Sequence, residues 1–428
     1  MGWKDEEPRL VTANREQLRL EVVDLEAAVP MDHRARVIWA AVERLDLGAF
    51  YDEIAARGST PGRSAIDPKI LLTLWLYAIS EAVGSARHLA RLCERDSVYR
   101  WICGGVAPNY HTLSDFRTAH GEKLDELLTQ MLAALMSRGL LRLKRVSQDG
   151  MRVRASAGAS SFRRGSRLKK LLAEAQGQVE ALRRELHEDP SASTNREKAA
   201  QQRAARERQE AVERALKEFP KVKKVHDRNR RHRRDPDAEP RVSTTDPEAR
   251  VLKMSDSGYR PAYNVQYATD TKTRLIVGLE VTSTSTDNYH LVPMLDQIER
   301  RFAGRLPQEY LADGGYATLD TIDAAENRGV CLYAPVATKN TAGYDPYARK
   351  RDDTDRTAVW RARMKTALAR RIYRQRAATS EFIHADQRAW RGLHQFRVRG
   401  LLKTRCVILL HTLFHNILHA HRLCPEWA

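Results

Sequence analysis

Cysteine is scarce in this chain. There are five in 428 residues (Cys93, Cys103, Cys331, Cys406 and Cys424), none in a C-x-x-C pair and none with a histidine at ligand spacing. A disulfide framework and a cysteine-based zinc site are thereby excluded, and a reducing cytosol fits. Long apolar runs are also missing. No stretch reaches the ~18 residues of a membrane span. The most apolar late segment, residues 407–418, is interrupted by His411, His415 and Asn416 and reads as a core helix. The opening residues, Met1 to Glu7, are polar and acidic, unlike a secretory leader. Acid is short overall: 55 Asp and Glu stand against 73 Lys and Arg, giving a formal charge of +18. Such an excess suits a polyanionic partner, most commonly nucleic acid, though a merely basic enzyme would show the same number.

What is present begins with helices. The length leaves room for two to four domains. Residues from about Asp32 to Arg138 read as consecutive short helices. Asp67-Pro68 is a start signal, followed by Ile70, Leu71, Leu74, Trp75 and Ala78 on one face. A second helix carries Leu89, Leu92 and Cys93 inward, with Arg87, His88, Arg91 and Arg95 outward. A third short element holds Val98, Trp101 and Ile102; Thr112, with Asp115 three residues on, then reads as a capping position ahead of a longer helix with Leu124, Leu127, Leu128 and Met131 inward. Short helices, tight turns and a basic outer face suggest a helix-turn-helix-like DNA module. An all-α packing domain with a solvated charged face fits the pattern equally well.

From Leu141 to Gln148 the alternation predicts a strand ending at Asp149-Gly150. Residues 160–258 then interrupt the α/β pattern. Leu168, Leu172, Ala175, Val179, Leu182 and Leu186 form a heptad seam, and a second helix from about Thr194 to Phe219 would complete a hairpin. The basic run that follows contains Lys223, Lys224, Arg230, Arg231, Arg233 and Arg234. It repels itself, so it reads as disordered alone and as an electrostatic clamp on phosphates, with a solvated tether as the bland alternative.

Strands are expected over 260–268 and 274–282. A helix begins near Asp287-Asn288-Tyr289-His290, where the histidine could position water but is more commonly structural. The stretch Glu309-Tyr310-Leu311-Ala312-Asp313-Gly314-Gly315-Tyr316 then reads as a buried strand ending in a carboxylate, with two glycines to turn the chain and Thr318 to cap the next helix over Leu319, Ile322 and Ala325. An acid at the carboxyl end of a strand is where an α/β sheet places its chemistry. Another strand over 330–334 and helices over 357–378 and from Glu381 onward complete the order. With the insert removed, this predicts a mixed α/β fold, a sheet with helices on its faces in the ribonuclease H-like order.

Five phrases then point to a family. Ser147-Gln148-Asp149-Gly150, Ser243-Thr244-Thr245-Asp246-Pro247-Glu248-Ala249-Arg250, Tyr263-Asn264-Val265-Gln266, Ala312-Asp313-Gly314-Gly315-Tyr316 and Arg397-Val398-Arg399-Gly400-Leu401 occur in this order. Together with Asp67-Pro68-Lys69 and Leu113-Ser114-Asp115-Phe116-Arg117, they make the chain resemble bacterial insertion-sequence transposases with a DDE core. The resemblance implies a helical DNA-binding domain over residues 1–140 and a ribonuclease H-like catalytic domain over 141–428, with the helical hairpin and basic linker of 160–258 inserted in it. It implies Asp149, Asp313 and Glu381 as the catalytic and metal-holding acids, with Asp386 the alternative third acid one turn further on. Tyr373, Arg376, Glu381 and Arg388 resemble the tyrosine-arginine-glutamate-lysine signature, arginine standing in the lysine position. Tyr373, Arg376 and Arg388 are accordingly expected at DNA.

The implied chemistry is in-line displacement at phosphorus, by water and then by a DNA 3′-hydroxyl, assisted by two Mg²⁺ ions for which Mn²⁺ substitutes. The implied partners are double-stranded DNA, as terminal inverted repeats and target, and further copies of the chain in a homodimer or larger assembly. No membrane is implied, and the expected location is the bacterial cytoplasm at the nucleoid. Two other readings stay open: a ribonuclease H-like nuclease without strand transfer, and a catalytically inactive DNA-binding derivative.

Overall fold

Between residues 24 and 140 all regular elements among the described residues are helices. The protein is seen here in a computed structural model that describes residues 24–58, 64–188, 195–230, 237–339 and 343–427. The helices are α1 (Arg34–Glu43), α2 (Gly48–Asp52), α3 (Pro68–Ser80), α4 (Ala86–Arg95), α5 (Ser97–Cys103), α6 (Tyr110–Ala119) and α7 (Gly121–Ser137). Asp67 caps α3 by accepting the Lys69 N–H, with Pro68 where a missing donor costs nothing. The cap of α6 is not Thr112 but Asn109, whose carboxamide oxygen accepts the Thr112 N–H at 2.9 Å. α3 is buried on nearly every side from Leu71 to Ser80, rather than on one face, because α1, α5 and α6 pack around it. On α4 the basic residues Arg87, His88, Arg91 and Arg95 are exposed, as expected.

After α7 the chain enters a sheet. Its elements are β1 (Arg145–Arg154), β2 (Phe162–Arg164), α8 (Gly165–Glu188), α9 (Asn195–Arg228), β3 (Arg241–Ser243), β4 (Arg250–Lys253), β5 (Tyr259–Asp270) and β6 (Ile276–Thr282). There follow α10 (Leu291–Arg301), β7 (Glu309–Leu311), α11 (Leu319–Asn327), β8 (Cys331–Tyr333), α12 (Asp355–Lys365), α13 (Ala367–Tyr373), α14 (Gln375–Ala385) and α15 (Leu401–Leu423). The main sheet runs β4-β5-β1-β7-β8, with β6 also paired to β5. β5 is antiparallel to β1, β4 and β6, whereas β1, β7 and β8 are parallel. This mixed α+β order is ribonuclease H-like.

One correction bears directly on the site. β1 does not stop at Asp149; it runs on to Arg154 because β5 pairs with it along that length. Its parallel neighbour β7 does stop, at Leu311 opposite Ser147. Beyond that rung, among the described residues, this edge of β1 meets no strand until Arg154 bridges to Gln395, and Asp149 lies in the gap.

The insert is a helical pair on a small two-stranded base. α8 and α9 pack together, β2 pairs with β3, and Leu168, Val212, Ala215 and Val242 form a core of their own. α9 continues through Pro220 to Arg228, so Lys221 to Lys224 are helical rather than disordered. Val222 packs on the hairpin core, and Arg250 of β4 bridges to Glu218 at 2.6 Å, which gives this turn of helix a surface to fold on. Arg231, Arg233 and Arg234 lie outside the described residues.

The expected helix over 357–378 is divided. Thr366 ends α12 and caps α13, and a third helix, α14, starts at Gln375 and carries Glu381 in its interior. α15 passes the length and composition test for a membrane span, yet 67% of its apolar window is buried inside the fold. It packs on α1, α3, α6, α7 and β6. Its buried Asn416 accepts the Ile276 N–H and donates to the Ile276 carbonyl, both at 2.8 Å, closing the start of β6.

Candidate active site

Asp149 and Asp313 each lie two residues beyond the Ser147–Leu311 rung. Asp149 Oδ1 accepts its neighbour Gly150 N–H at 2.8 Å, and Oδ2 meets Arg376 Nη1 at 3.0 Å. Asp313 Oδ1 accepts the Gly315 N–H at 2.7 Å. A Cβ on Gly315 would stand 3.0 Å from that same oxygen, whereas Gly314 has ordinary room and neither glycine has a positive φ. The glycine pair is therefore not a left-handed turn. It is Gly315 that lets the carboxylate fold back on the chain.

Burial is the main force on both acids. It pushes the Asp149 carboxyl up, with the Arg376 guanidinium pulling it down and the charge of Asp287 adding to the rise. Burial likewise raises Asp313, helped by Asp149 and Asp287 and opposed by the Gly315 N–H and Arg376. These are like charges gathered in a desolvated place, which is costly unless a cation joins them.

Arg376 comes from α14, which lies across β1; Ser380 of the same helix places its hydroxyl 3.3 Å from that of Ser147. Tyr373 is half-buried with the Arg376 guanidinium 5.8 Å from its ring centroid. Glu381 is exposed on α14, and its charge acts on His384. The acidic charges acting on Asp149 and Asp313 include one another's and that of Asp287. Asp386 is engaged elsewhere: it accepts from His415 Nδ1 at 3.0 Å and pairs with Arg391 at 3.2 Å. Arg388 donates to the Arg152 carbonyl at 2.7 Å, so it ties α14's end to β1 and leaves Asp386 to Arg391. His290 is buried between Glu280 at 3.0 Å and Thr284 at 2.6 Å, a structural setting.

Beneath the acids lies a buried polar network that composition does not announce. Tyr310 donates to Gln148 at 2.8 Å, Gln148 donates to Gln266 at 3.1 Å, and Tyr316 donates to the same Gln266 oxygen. Gln266 and Asn264 in turn both donate to Asp287 Oδ1, at 2.8 and 2.9 Å. Gly150 is required by this network: a Cβ there would come within 2.5 Å of Gln266 Nε2 and 2.8 Å of Asn264 Oδ1. Asp287 was visible in the sequence only as a helix-start acid. The usable signal was the period-two spacing of Asn264 and Gln266, two amides on one face of a strand that is buried from Pro261 to Asp270.

The basic residues of the insert stand apart from this centre. Lys223 and Lys224 are exposed on α9, and Arg230, just past its end, pairs with Asp237. A groove of about 1020 Å³ runs between the base of the hairpin and the loop of residues 283–289, with Lys221, Arg228 and Arg241 on its walls.

The donor set suits a hard divalent cation. Two partly buried carboxylates, raised chiefly by desolvation with neighbouring acidic charge adding to it, offer oxygen ligands and gain from a cation's charge. Among the described residues no three of His, Cys, Asp and Glu are already drawn together closely enough to hold a metal ion by themselves. Magnesium asks for less than that, since it keeps waters and takes phosphate oxygens.

Two family models match parts of the chain, one before β1 and one from β3 onward. Residues 23–119 match a transposase domain family (DUF772), and residues 241–417 match the transposase DDE domain family. Comparison with curated proteins and with solved structures finds no match.

Proposed function

Starting from a chain that belongs to the insertion-sequence DDE transposases, we propose that it cuts DNA at the ends of its element and joins the freed 3′-hydroxyls to target DNA. The observation that carries this is the pairing of Asp149 with Asp313 at the open edge of β1, under the guanidinium of Arg376. A divalent cation, Mg²⁺ or Mn²⁺ in its place, would be held by Asp149, Asp313 and Glu381 and would supply Lewis-acid activation of the displacement at phosphorus. Arg376 neutralises Asp149 before DNA arrives, and its planar fork suits a phosphate once the carboxylate has another partner. Tyr373 beside it offers a face for a base, and Arg388 holds the end of α14 against β1 so that both stay aimed at the acids. The N-terminal domain, residues 1–140, is assigned to end recognition, and the basic groove beside the hairpin to duplex DNA flanking the cut.

A strand-transfer assay with labelled transposon-end oligonucleotides in Mg²⁺ tests this. Joined product is expected; cut product alone would leave a nuclease, and bound DNA alone an inactive derivative. Asp313→Asn is expected to abolish cleavage with DNA binding retained or tightened, because it removes a negative charge beside phosphate. Cleavage at the wild-type rate would mean the site is misassigned.

A further inference from the structure

Asp287 is placed as no ordinary loop acid is. One of its oxygens, Oδ1, is saturated by two amide donors, Asn264 Nδ2 at 2.9 Å and Gln266 Nε2 at 2.8 Å, which fix the plane of the carboxylate. The other, Oδ2, has Arg152 at 3.6 Å, beyond hydrogen-bond reach. It stands next to both catalytic aspartates: Oδ1 comes 3.1 Å from where a Cβ on Gly150 would lie, and its Cβ comes 3.8 Å from the corresponding point on Gly315. A carboxylate oriented through one oxygen by outer hydrogen bonds, with the second oxygen left over, is how metal-ligating carboxylates are held.

A second observation points to a bound group. Asn264 is fully buried, yet its Oδ1 has no hydrogen-bond partner. A buried carbonyl oxygen without a partner is costly, and this one lies 2.8 Å from the Cβ position of Gly150, on the side of Asp287. The charges around the centre agree with this. Asp149 is met by Arg376 at 3.0 Å and Asp287 more loosely by Arg152 at 3.6 Å, which also donates to the Ser285 carbonyl, so two guanidinium groups stand against three acids and leave charge for a divalent cation to balance.

We propose that Asp287 is a cation ligand of this centre, contributing Oδ2 alongside Asp149 and Asp313 when Arg152 and Arg376 withdraw, with Asn264 and Gln266 as its positioning residues. The proposal rests on the DDE reading of Asp149 and Asp313 and is independent of whether Glu381 also ligates. Arg152, once released, becomes a phosphate-binding group on the same edge as Arg376.

Mn²⁺ alone, titrated into the full chain without DNA and followed by electron paramagnetic resonance, tests it directly. Asp287→Asn keeps an oxygen for both amide donors, so its packing is preserved. It is expected to weaken Mn²⁺ binding by about tenfold or more, the scale on which even outer partners of a metal site act. If Asp287→Asn binds Mn²⁺ as wild type does while Asp313→Asn does not, Asp287 is no ligand and the DDE reading stands. If Asp149→Asn and Asp313→Asn also bind normally, the DDE reading itself fails. A second measurement needs no variant: Fe²⁺ with ascorbate and peroxide cuts the backbone beside a bound ion. Fragments ending near residues 149, 287 and 313 are expected, and cuts near 149 and 313 without one near 287 would overturn the proposal.

Discussion

Gly150 shows how much a single missing Cβ can decide. The residue follows Asp149 and pairs with Gln266 across the sheet. Any side chain would enter the space held by Gln266, Asn264 and Asp287. Gly150→Ala is therefore expected to cost about 1–3 kcal/mol, the usual size of overpacking in a filled interior, and to lower cleavage by displacing Asp287. A thermal melt and the end-cleavage assay check the two parts; an unchanged melting temperature would mean the network yields freely. Of the acids, Asp149 and Asp313 could be proposed from the sequence because each precedes a glycine where a strand is expected to end, although β1 in fact runs on to Arg154. Asp287 could not, since its meaning depends on two amides about twenty residues upstream that only strand pairing brings beneath it.

Helices and strands set how these residues are aimed and how they respond to pH and salt. α14 reaches β1 through Arg376 and Ser380, and its far end, a π turn over Asp386–Trp390, is tied to α15 by Asp386–His415 and by Gln387, whose Oε1 lies 2.9 Å from His411 Nδ1. Burial pushes His411, and separately His384, down to about 4. In the unfolded chain histidine titrates near ~6.5. Below that pH the unfolded state takes up protons that the folded state refuses, so stability is intact above ~6.5 and falls as pH drops towards 4. Each histidine contributes a slope of at most about 1.4 kcal/mol per pH unit. Urea melts between these pH values should show the loss, and His411→Asn should flatten it; an equal slope in the variant would exonerate His411. On α9 the exposed Lys223 and Lys224, with Arg230 beyond, are expected to act through salt. Changing all three to Gln should reduce the slope of log binding constant against log salt by about 0.9 for each phosphate they neutralise. An unaltered slope would show that this face does not meet DNA.

Across the whole molecule one continuous hydrophobic core joins the first helices to the sheet, and α15 is its centre. Leu413 is fully buried on that helix. Leu413→Ala is expected to cost about 2–5 kcal/mol and to destabilise the helical part and the sheet together. Hydrogen exchange resolved over α3 and over β5 should report the same loss in both. Loss confined to one of them would mean that the two parts unfold separately. The hairpin insert has a separate small core and should be spared. Coupling of this kind suits the proposed division of labour, in which a DNA-recognising and a DNA-cutting part would have to keep a fixed geometry.

Local chemistry alone was enough for much of this protein. Helix starts such as Asp67-Pro68, the strand-forming run of β5, the heptad seam of α8 and the acid-glycine pairs all depend on neighbours within a turn or a rung, so residue order carries them. Tertiary structure decided the rest. It carried β1 past Asp149, folded the start of the basic run into α9, moved Asp386 to His415 and brought Asp287 beside the two aspartates. Each of those outcomes turns on which distant surface is available to bury a group or satisfy a hydrogen bond, and that is settled only when the chain closes on itself.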